Sequence, residues 1–389
     1  MYNIRTYNAI SEKGLSRFPA DKYAVSPEAA LPEGVLLRSQ KLQSEVLPES
    51  VIAVARAGAG TNNIPTENYT EQGIVVFNTP GANANAVKEL IVAGLLLGSR
   101  DIYGGMTYVQ ELGHMDDSGE MGKLLEKEKK RFAGSDITGK TLGVVGLGAI
   151  GSIIANLALD LGMNVIGYDP AISVEAAWQL SSQVERMDSI ESLLARADFI
   201  TLHVPAIAAT KHLINKDTLA LMKSTAKILN FAREEIVSTD DMVTALDNGV
   251  IAGYISDFPA PALLGRKDVL LMPHIGASTE EAEENCAVMA ADQLMDFLEN
   301  GNIRNSVNYP PTKMTRNGGS RITFTNNNVP KVLGSVLAVL ADAELNVVDM
   351  VNKSRGDIAY NIIDLEGDLD STIEAAIAAV EGVVRVRVI

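Results

Sequence analysis

Residues 141–169 read TLGVVGLGAIGSIIANLALDLGMNVIGYD, and this stretch decides the fold of the central part of the chain. The apolar run TLGVV predicts a strand, and it leads into the turn GLGAIG, which opens a helical pattern. Gly146 allows a tight turn, Gly148 lets the backbone approach a pyrophosphate, and Gly151 permits close packing of the helix on the strand. The free amides at the helix N-terminus would also favour a phosphate.

The next predicted strand ends in an acidic residue, Asp169, eighteen residues after Gly151. An acid at this spacing is placed to accept hydrogen bonds from the adenosine ribose hydroxyls. Its charge would repel a 2′-phosphate, so the motif favours NAD over NADP. FAD is less favoured because the motif lies in mid-chain, with an apparent domain before it. The alternative, a glycine-rich turn beside a surface aspartate, does not explain why strand, turn, helix and acid are in register.

The surrounding sequence divides into regions of different pattern. Between 85 and 282, strand-like runs alternate with helical patterns, which predicts a parallel sheet with crossover helices. Short apolar runs and turns fill 1–84, and the segment after Ser278 and Thr279, either of which could be an N-cap, predicts one long helix. We therefore predict a substrate-binding domain (1–84 and 283–310), a Rossmann domain (85–282), a Pro/Gly-rich linker (311–319) and a βαββαβ unit (320–389).

Composition excludes several classes of protein. A chain of 389 residues is long enough for two or three domains. The formal net charge of −16 argues against nucleic acid or an anionic membrane as a partner. With one cysteine, Cys286, neither an intrachain disulfide nor a cysteine-built zinc site is possible, and we predict no metal. No apolar run predicts a membrane span and no signal peptide is visible, so we expect a cytoplasmic protein.

A base and a cation are needed if a hydride is to leave a hydroxyl-bearing carbon. Among the four histidines, His114 lies in a polar stretch, and His212 lies in a predicted loop or at a helix start. His203 ends the strand FITLH, where a structural role and a cofactor-lining role are equally reasonable. His274 follows the strand VLLMP, and ligands of open α/β sheets bind beyond the carboxyl ends of the strands. His274 is therefore the best candidate for the base.

Two further polar residues follow apolar strands in the same way. Arg233 ends the run AKILNFAR, and Asp257 follows GYIS. Either residue alone could be a helix cap or part of an ion pair. Together with His274 they predict a site at one edge of the sheet.

The motifs GLGAIG, YDP, TLHVP, NFAR, SDFP and PHIGAST occur in this order and resemble the D-isomer-specific 2-hydroxyacid dehydrogenase family. The segments LLRSQKL, ARAGAGTNNI and VFNTPGANANAVKEL, with a terminal unit similar to an ACT domain, resemble the branch that oxidises 3-phospho-D-glycerate to 3-phosphohydroxypyruvate. The resemblance implies an α/β protein in which a Rossmann-type doubly wound parallel sheet is inserted in a flavodoxin-like substrate domain, followed by a ferredoxin-like ACT unit. It also implies NAD as cofactor and a homodimer or homotetramer.

The resemblance assigns roles to individual residues. Arg233 would hold the substrate carboxylate or carbonyl, His274 would be the general acid/base, and Asp257 would bind the nicotinamide carboxamide. The cofactor would be lined by Gly146, Gly148, Ala149, Ile150, Gly151, Asp169, His203, Val204, Pro205, Ala232, Asp257 and Gly276. The substrate would be bound by Arg38, Ser39 and Lys41 at its phosphate, with Ala57, Gly58 and Asn83 lining the site.

The phosphate assignment also has a chemical reason, because phosphate favours an arginine with hydroxyl donors. The alternative for Arg38, Ser39 and Lys41 is a polar turn after the strand GVLL. One departure from the family concerns the histidine. Most members carry a glutamate a few residues after the aspartate, and it pairs with the imidazole. Here no acid occurs between Asp257 and Asp268.

The terminal unit contains a segment that partly matches the effector-binding loop of related ACT domains. Related ACT domains bind an amino acid through an N-x-P-G loop, and this chain has Asn328 and Pro330 but Lys331 in place of the glycine. Asn326 stands where related domains often have a histidine, and Asn346 matches a second ligand position, so the resemblance implies L-serine as a possible effector. A domain used only for assembly is the alternative.

Two other functions stay open. A hydroxypyruvate or glyoxylate reductase would share the central motifs without needing a phosphate site. A non-catalytic NAD-binding sensor on the same scaffold is the remote third reading, which Arg233 and His274 argue against.

Overall fold

The computed structural model describes the whole chain except Gly318, Asp368 and Asp370, and the side chain of Glu175. Gly318 falls in the predicted linker, and Asp368 and Asp370 fall in the predicted terminal unit, so these three positions lie outside the described residues. Contacts divide the chain into two compact units, one made of residues 1–83 and 279–389 and the other of residues 84–278. In the described parts of the chain, no helix combines the length and apolar character needed to cross a bilayer.

The first unit begins with a five-stranded parallel sheet. Its order is β2-β1-β3-β4-β5, the flavodoxin-like order predicted for this region. The strands are β1 (Tyr2–Thr6), β2 (Tyr23–Ser26), β3 (Gly34–Leu37), β4 (Ala53–Arg56) and β5 (Val75–Phe77), with short helices α1 (Glu12–Leu15) and α2 (Thr66–Glu71). Strands β3 and β5 are buried along their whole length, as expected for a parallel sheet covered on both faces.

The second unit is a seven-stranded parallel sheet of order β12-β11-β10-β9-β6-β7-β8, which confirms the predicted doubly wound Rossmann fold. Its strands are β6 (Thr141–Val145), β7 (Asn164–Tyr168), β8 (Glu185–Arg186), β9 (Phe199–Leu202), β10 (Lys227–Asn230), β11 (Gly253–Ser256) and β12 (Val269–Leu271). Its helices are α3 (Ala84–Ser99), α4 (Ile102–Glu111), α5 (Ser118–Glu128), α6 (Ala149–Asp160), α7 (Val174–Gln179), α8 (Ile190–Arg196), α9 (Lys216–Leu219) and α10 (Thr239–Asp247). Apolar clusters on the two faces of the sheet, one including α3 and α6 and the other α8 and α10, form its core.

The chain returns to the first unit through the long helix α11 (Glu280–Asn300). The Thr279 side chain accepts a hydrogen bond from the Ala282 amide at 3.1 Å, so Thr279 is the N-cap. The helix ends at Gly301, whose φ of +71° is a left-handed conformation that glycine adopts without strain. Its buried face, which includes Leu294 and Phe297, packs on the parallel sheet.

The C-terminal segment is the predicted βαββαβ unit. It consists of β13 (Ser320–Asn327), α12 (Val332–Asp342), β14 (Val347–Arg355), β15 (Ile358–Leu365), α13 (Ser371–Ala378) and β16 (Val383–Val388), with antiparallel order β14-β15-β13-β16. One sheet face packs on α12 and α13 through residues such as Phe324 and Val336. The other face joins the core of the parallel sheet through Tyr360, whose ring contacts Tyr309 edge-on at 6.3 Å between centroids.

Candidate functional site

Five of the predicted site residues lie at one edge of the seven-stranded sheet. Asp169 directly follows β7, His203 follows β9 and Asp257 follows β11, while Arg233 and His274 come three residues after β10 and β12. Because all seven strands are parallel, their carboxyl ends share an edge. The structure therefore brings these polar groups to the edge at which ligands of doubly wound sheets bind.

The glycine-rich turn has the conformation that a dinucleotide requires. Gly146 has φ +91°, and a Cβ added there would lie 2.8 Å from the backbone carbonyl group of His203. A Cβ at Gly151 would collide with the Gly146 carbonyl oxygen. By contrast, a Cβ at Gly148, the N-cap of α6, would meet no heavy atom within 4 Å. The turn is closed where it packs on protein and open where a pyrophosphate would approach, so the residues present fit NAD.

The Asp169 carboxylate holds the glycine-rich turn from the next strand. One oxygen accepts a hydrogen bond from the Leu147 amide at 2.8 Å, and the other accepts from the Ala171 amide at 2.8 Å. The carboxylate is thereby fixed beside the turn, at the position predicted for a ribose-binding acid.

His203 is held at the end of β9 in its neutral form. His203 is partly buried, and burial lowers its pKa to about 3. Its Nε2 lies 2.9 Å from the Thr201 hydroxyl. A neutral imidazole adds no charge beside the turn.

Arg233 is presented by a network around the buried side chain of Asn230. The side-chain NH2 group of Asn230 donates a hydrogen bond to the backbone carbonyl of Arg233 at 2.9 Å. The side-chain oxygen of Asn230 accepts one from the backbone amide of Ala232 at 3.2 Å. The Arg233 guanidinium donates to the Ala232 carbonyl at 2.6 Å. Within the described residues Arg233 forms no ion pair with a carboxylate, so its charge can serve an anionic ligand.

His274 is exposed on a loop that Asp257 holds. Both carboxylate oxygens of Asp257 accept backbone hydrogen bonds, from the Ile275 amide at 2.8 Å and from the Gly276 amide at 2.7 Å. The Phe258 ring contacts the imidazole, with 4.9 Å between the ring centroids.

The predicted phosphate site lies in the first unit, after β3. The amides of Ser39 and Gln40 donate to the Asn8 side chain at 3.0 and 2.8 Å, which orders the turn, and Ser39 and Lys41 are exposed. The Arg38 guanidinium is paired with Glu283 of α11 at 2.6 Å. An arginine, a hydroxyl and a lysine are thus present on one exposed turn, but the arginine already has an anionic partner.

Arg56 is a residue at this site that the sequence reasoning missed. Its guanidinium donates to the Arg38 carbonyl at 2.9 Å and to the Gly60 carbonyl, so it joins the turn after β3 to the loop after β4 that carries Ala57 and Gly58. The only sequence signal was a charged residue at the end of an otherwise apolar strand. The side-chain oxygen of Asn83, another predicted site residue, is buried with no hydrogen-bond partner among the described residues.

The three predicted effector residues do not come together within one chain. Asn326 pairs with Ala359 across the sheet, whereas Asn346 precedes a strand whose first residue pairs with Leu365 at the opposite end. Each asparagine side chain already donates a hydrogen bond, Asn326 to the Asn327 carbonyl, Asn328 to the Gly356 carbonyl and Asn346 to Glu366. An effector contacting all three would require a second copy of the chain.

Comparisons with known proteins show the family to which the chain belongs. Residues 105–276 match the model of the D-isomer specific 2-hydroxyacid dehydrogenase, NAD binding domain. A D-3-phosphoglycerate dehydrogenase from Escherichia coli is 31% identical over 355 residues, which is 88% of this chain and 82% of that protein. The chain therefore belongs to the D-isomer specific 2-hydroxyacid dehydrogenase family, and its second unit is an NAD-binding domain.

Within that family the chain is similar to D-3-phosphoglycerate dehydrogenases. The one from Synechocystis is 38% identical over 72% of this chain, and the one from Methanocaldococcus jannaschii is 35% identical over 82%. The chain spans 49% and 58% of the length of these two relatives. The NAD-bound crystal structure of 3-phosphoglycerate dehydrogenase from Entamoeba histolytica is 25% identical, with a TM-score of 0.61, covering 81% of this chain and 99% of that one.

Proposed function

We propose that this protein is an NAD-dependent D-3-phosphoglycerate dehydrogenase, which oxidises 3-phospho-D-glycerate to 3-phosphohydroxypyruvate at the first step of L-serine biosynthesis. The observation that carries the proposal is the Arg38-Ser39-Lys41 turn after a buried parallel strand. Family members that act on unphosphorylated 2-hydroxy acids have no need of such a turn. The similarity to proteins of that name over most of the chain supports it.

The proposed chemistry divides between two residues of the NAD-binding unit. The glycine-rich turn would hold NAD, which would supply the acceptor for the hydride that leaves C2 of the substrate. His274 takes the proton of the C2 hydroxyl, so that the C–O bond becomes a carbonyl, and it returns a proton in the reverse direction. Arg233 binds the substrate carboxylate and stabilises the charge that develops on the C2 oxygen. Arg38, Ser39 and Lys41 bind the phosphate.

The decisive experiment compares NADH-dependent reduction of 3-phosphohydroxypyruvate and hydroxypyruvate by the wild type and by Arg38→Ala. We expect the wild type to prefer the phosphorylated substrate, and the variant to lose about 10- to 100-fold in kcat/KM on that substrate alone. Arg17→Ala, which removes an exposed arginine of the same unit, is the matched control. Equal rates on both substrates, unchanged by Arg38→Ala, would contradict the proposal.

A reductase of unphosphorylated 2-oxo acids, such as hydroxypyruvate or glyoxylate, is the second candidate, since Arg38 is paired with Glu283 rather than free. The same experiment separates the two, because such a reductase would use hydroxypyruvate at least as well.

We also propose that the protein is a homodimer or homotetramer built on α4 and α5. Neither helix, all of whose residues are described, contains a buried residue. Tyr103, Met106 and Val109 of α4 are exposed to 63%, 65% and 45%. Met106→Asp should lower the mass measured by sedimentation equilibrium, whereas Val46→Asp, at an exposed site of the first unit, should not. Retention of the wild-type mass by Met106→Asp would exclude this face.

L-serine is proposed as an effector that binds where two copies meet, because Asn346 and Asn326 lie at opposite ends of the sheet. Adding millimolar L-serine should change the rate or the melting temperature. No change in either would leave the terminal unit with an assembly role only.

A further inference from the structure

The backbone of His274 has a left-handed conformation that is uncommon for non-glycine residues. Its φ is +57°, in the left-handed region, where the Cβ atom crowds the backbone. A residue stays in such a conformation only when surrounding contacts over-determine it. The loop that carries His274 must therefore be held from outside.

Asp257 supplies these contacts. The residue is only 1% exposed, and its carboxylate accepts hydrogen bonds from the Ile275 and Gly276 amides, one on each oxygen, at 2.8 and 2.7 Å. Its own amide donates to the carbonyl of Asn230 at 3.1 Å, which fixes Asp257 to the neighbouring strand. A Cβ at Gly276 would lie 3.1 Å from the carboxylate, so glycine allows the close approach. Hydrogen bonds to a carboxylate are stronger than those to a neutral acceptor.

The next residue in the chain holds the ring of the histidine. Phe258 contacts the imidazole at 4.9 Å between centroids, with 58° between the ring planes. The amide of Phe258 donates to the hydroxyl of Ser256 at 3.0 Å. Residues 257 and 258 together thus restrain both the backbone and the side chain of His274.

We propose that Asp257 is a positioning residue that sets His274 in its reactive orientation by binding the two amides that follow it. This inference rests on the proposed role of His274 as acid/base. The aspartate acts on the backbone of the loop, whereas the glutamate that this chain lacks would act on the imidazole. The resemblance suggested a contact between Asp257 and the nicotinamide carboxamide. In this structure, both carboxylate oxygens of Asp257 instead accept hydrogen bonds from backbone amides of the protein.

The test combines two substitutions. Asp257→Asn keeps the size of the side chain but offers an NH2 group to one of the two amides, and Gly276→Ala presses on the carboxylate without changing it. We expect each to lower kcat about 10- to 100-fold with NADH affinity within about twofold of wild type. The deuterium isotope effect with 4-deuterated NADH should rise as chemistry becomes slower. Their combined effect should be smaller than the sum, because both disturb one contact.

Asp268→Asn, which removes an aspartate just before β12 that pairs with Arg266, is the matched control and should leave kcat unchanged. Weaker NADH binding with unchanged kcat at saturation would overturn the inference and make Asp257 a cofactor ligand. A lower melting temperature with unchanged kcat and isotope effect would also overturn it. If His274→Gln leaves kcat of the wild type unaltered, the proposed function has failed instead, since no acid/base would then need positioning.

Discussion

Arg38 Nη2 lies 2.6 Å from Glu283 Oε1, an ion pair between a residue that follows β3 and one in the first turn of α11. The two side chains are 40% and 43% exposed, so solvent weakens their attraction. The helix N-terminus favours the carboxylate at this place independently. The arginine that we propose to bind the substrate phosphate is therefore already paired with a carboxylate of the protein.

We expect Glu283→Gln to lower KM for 3-phosphohydroxypyruvate about two- to fivefold, because the phosphate no longer competes with a carboxylate for Arg38. KM for unphosphorylated hydroxypyruvate should not change. Steady-state kinetics at low and high salt would measure this, with a smaller effect at high salt. Glu281→Gln, an exposed glutamate of the same helical turn, is the control. An increase in KM would mean that Glu283 orients Arg38 rather than competing for it.

If the protein has the proposed activity, Asp169→Asn should relax its preference for NADH over NADPH. The aspartate is fixed beside the glycine-rich turn by the Leu147 and Ala171 amides, so its charge faces any 2′-phosphate bound there. Removing the charge should raise the ratio of kcat/KM with NADPH to that with NADH by about tenfold or more. Asp160→Asn, at the far end of α6, gives the matched loss of charge. An unaltered ratio would place the adenosine ribose elsewhere.

Removing one partner of the buried ion pair between Arg321 and Asp364 should strongly destabilise the first unit. Both side chains are fully buried, and the Arg321 Nε–Asp364 Oδ1 distance is 2.6 Å. Burial alone would raise the pKa of Asp364, but hydrogen bonds from Arg321 and the Asn317 amide outweigh it and lower the pKa. Asp364→Asn should cost about 3–5 kcal/mol in the free energy of unfolding, because it leaves the guanidinium buried and unpaired.

Urea unfolding followed by circular dichroism would measure this cost. Asp292→Asn, which breaks the exposed pair with Arg17, should cost less than about 1 kcal/mol. If Asp364→Asn and Asp292→Asn lowered the free energy of unfolding equally, burial of the ion pair would not explain its effect on stability.

Stability should fall on acidification through His203. Burial lowers its pKa to about 3, whereas an unfolded histidine titrates near 6.5, so between these values the unfolded chain binds one more proton. The contribution of neutral His203 to the free energy of unfolding is complete above about pH 6.5, and it is lost as the pH falls toward 3. His203→Gln should therefore reduce the loss of stability between pH 7 and pH 5 by about 2 kcal/mol.

Urea unfolding of wild type and variant at the two pH values would test this, with His114→Gln as the control at an exposed histidine. If the wild type and the His203→Gln variant lost the same free energy of unfolding between pH 7 and pH 5, His203 would not be the cause of the pH dependence.

The sequence by itself determined the features that depend on neighbouring residues. The spacing of Gly146, Gly148, Gly151 and Asp169 specified a strand, a turn and a helix in one continuous stretch. Alternation of apolar runs also predicted the doubly wound sheet and the C-terminal βαββαβ unit. Because parallel strands bring their carboxyl ends to one edge, even the common position of Arg233, Asp257 and His274 followed from local pattern.

Only the tertiary structure decided which distant groups meet. Nothing near Arg38 in the chain indicates its pairing with Glu283, and Asp257 contacts the amides of Ile275 and Gly276 only because β11 and β12 are adjacent. The opposite placement of Asn326 and Asn346 likewise depends on strand register. Local periodicity reports which face of an element is buried, whereas the partner of a polar group depends on how elements far apart in sequence pack.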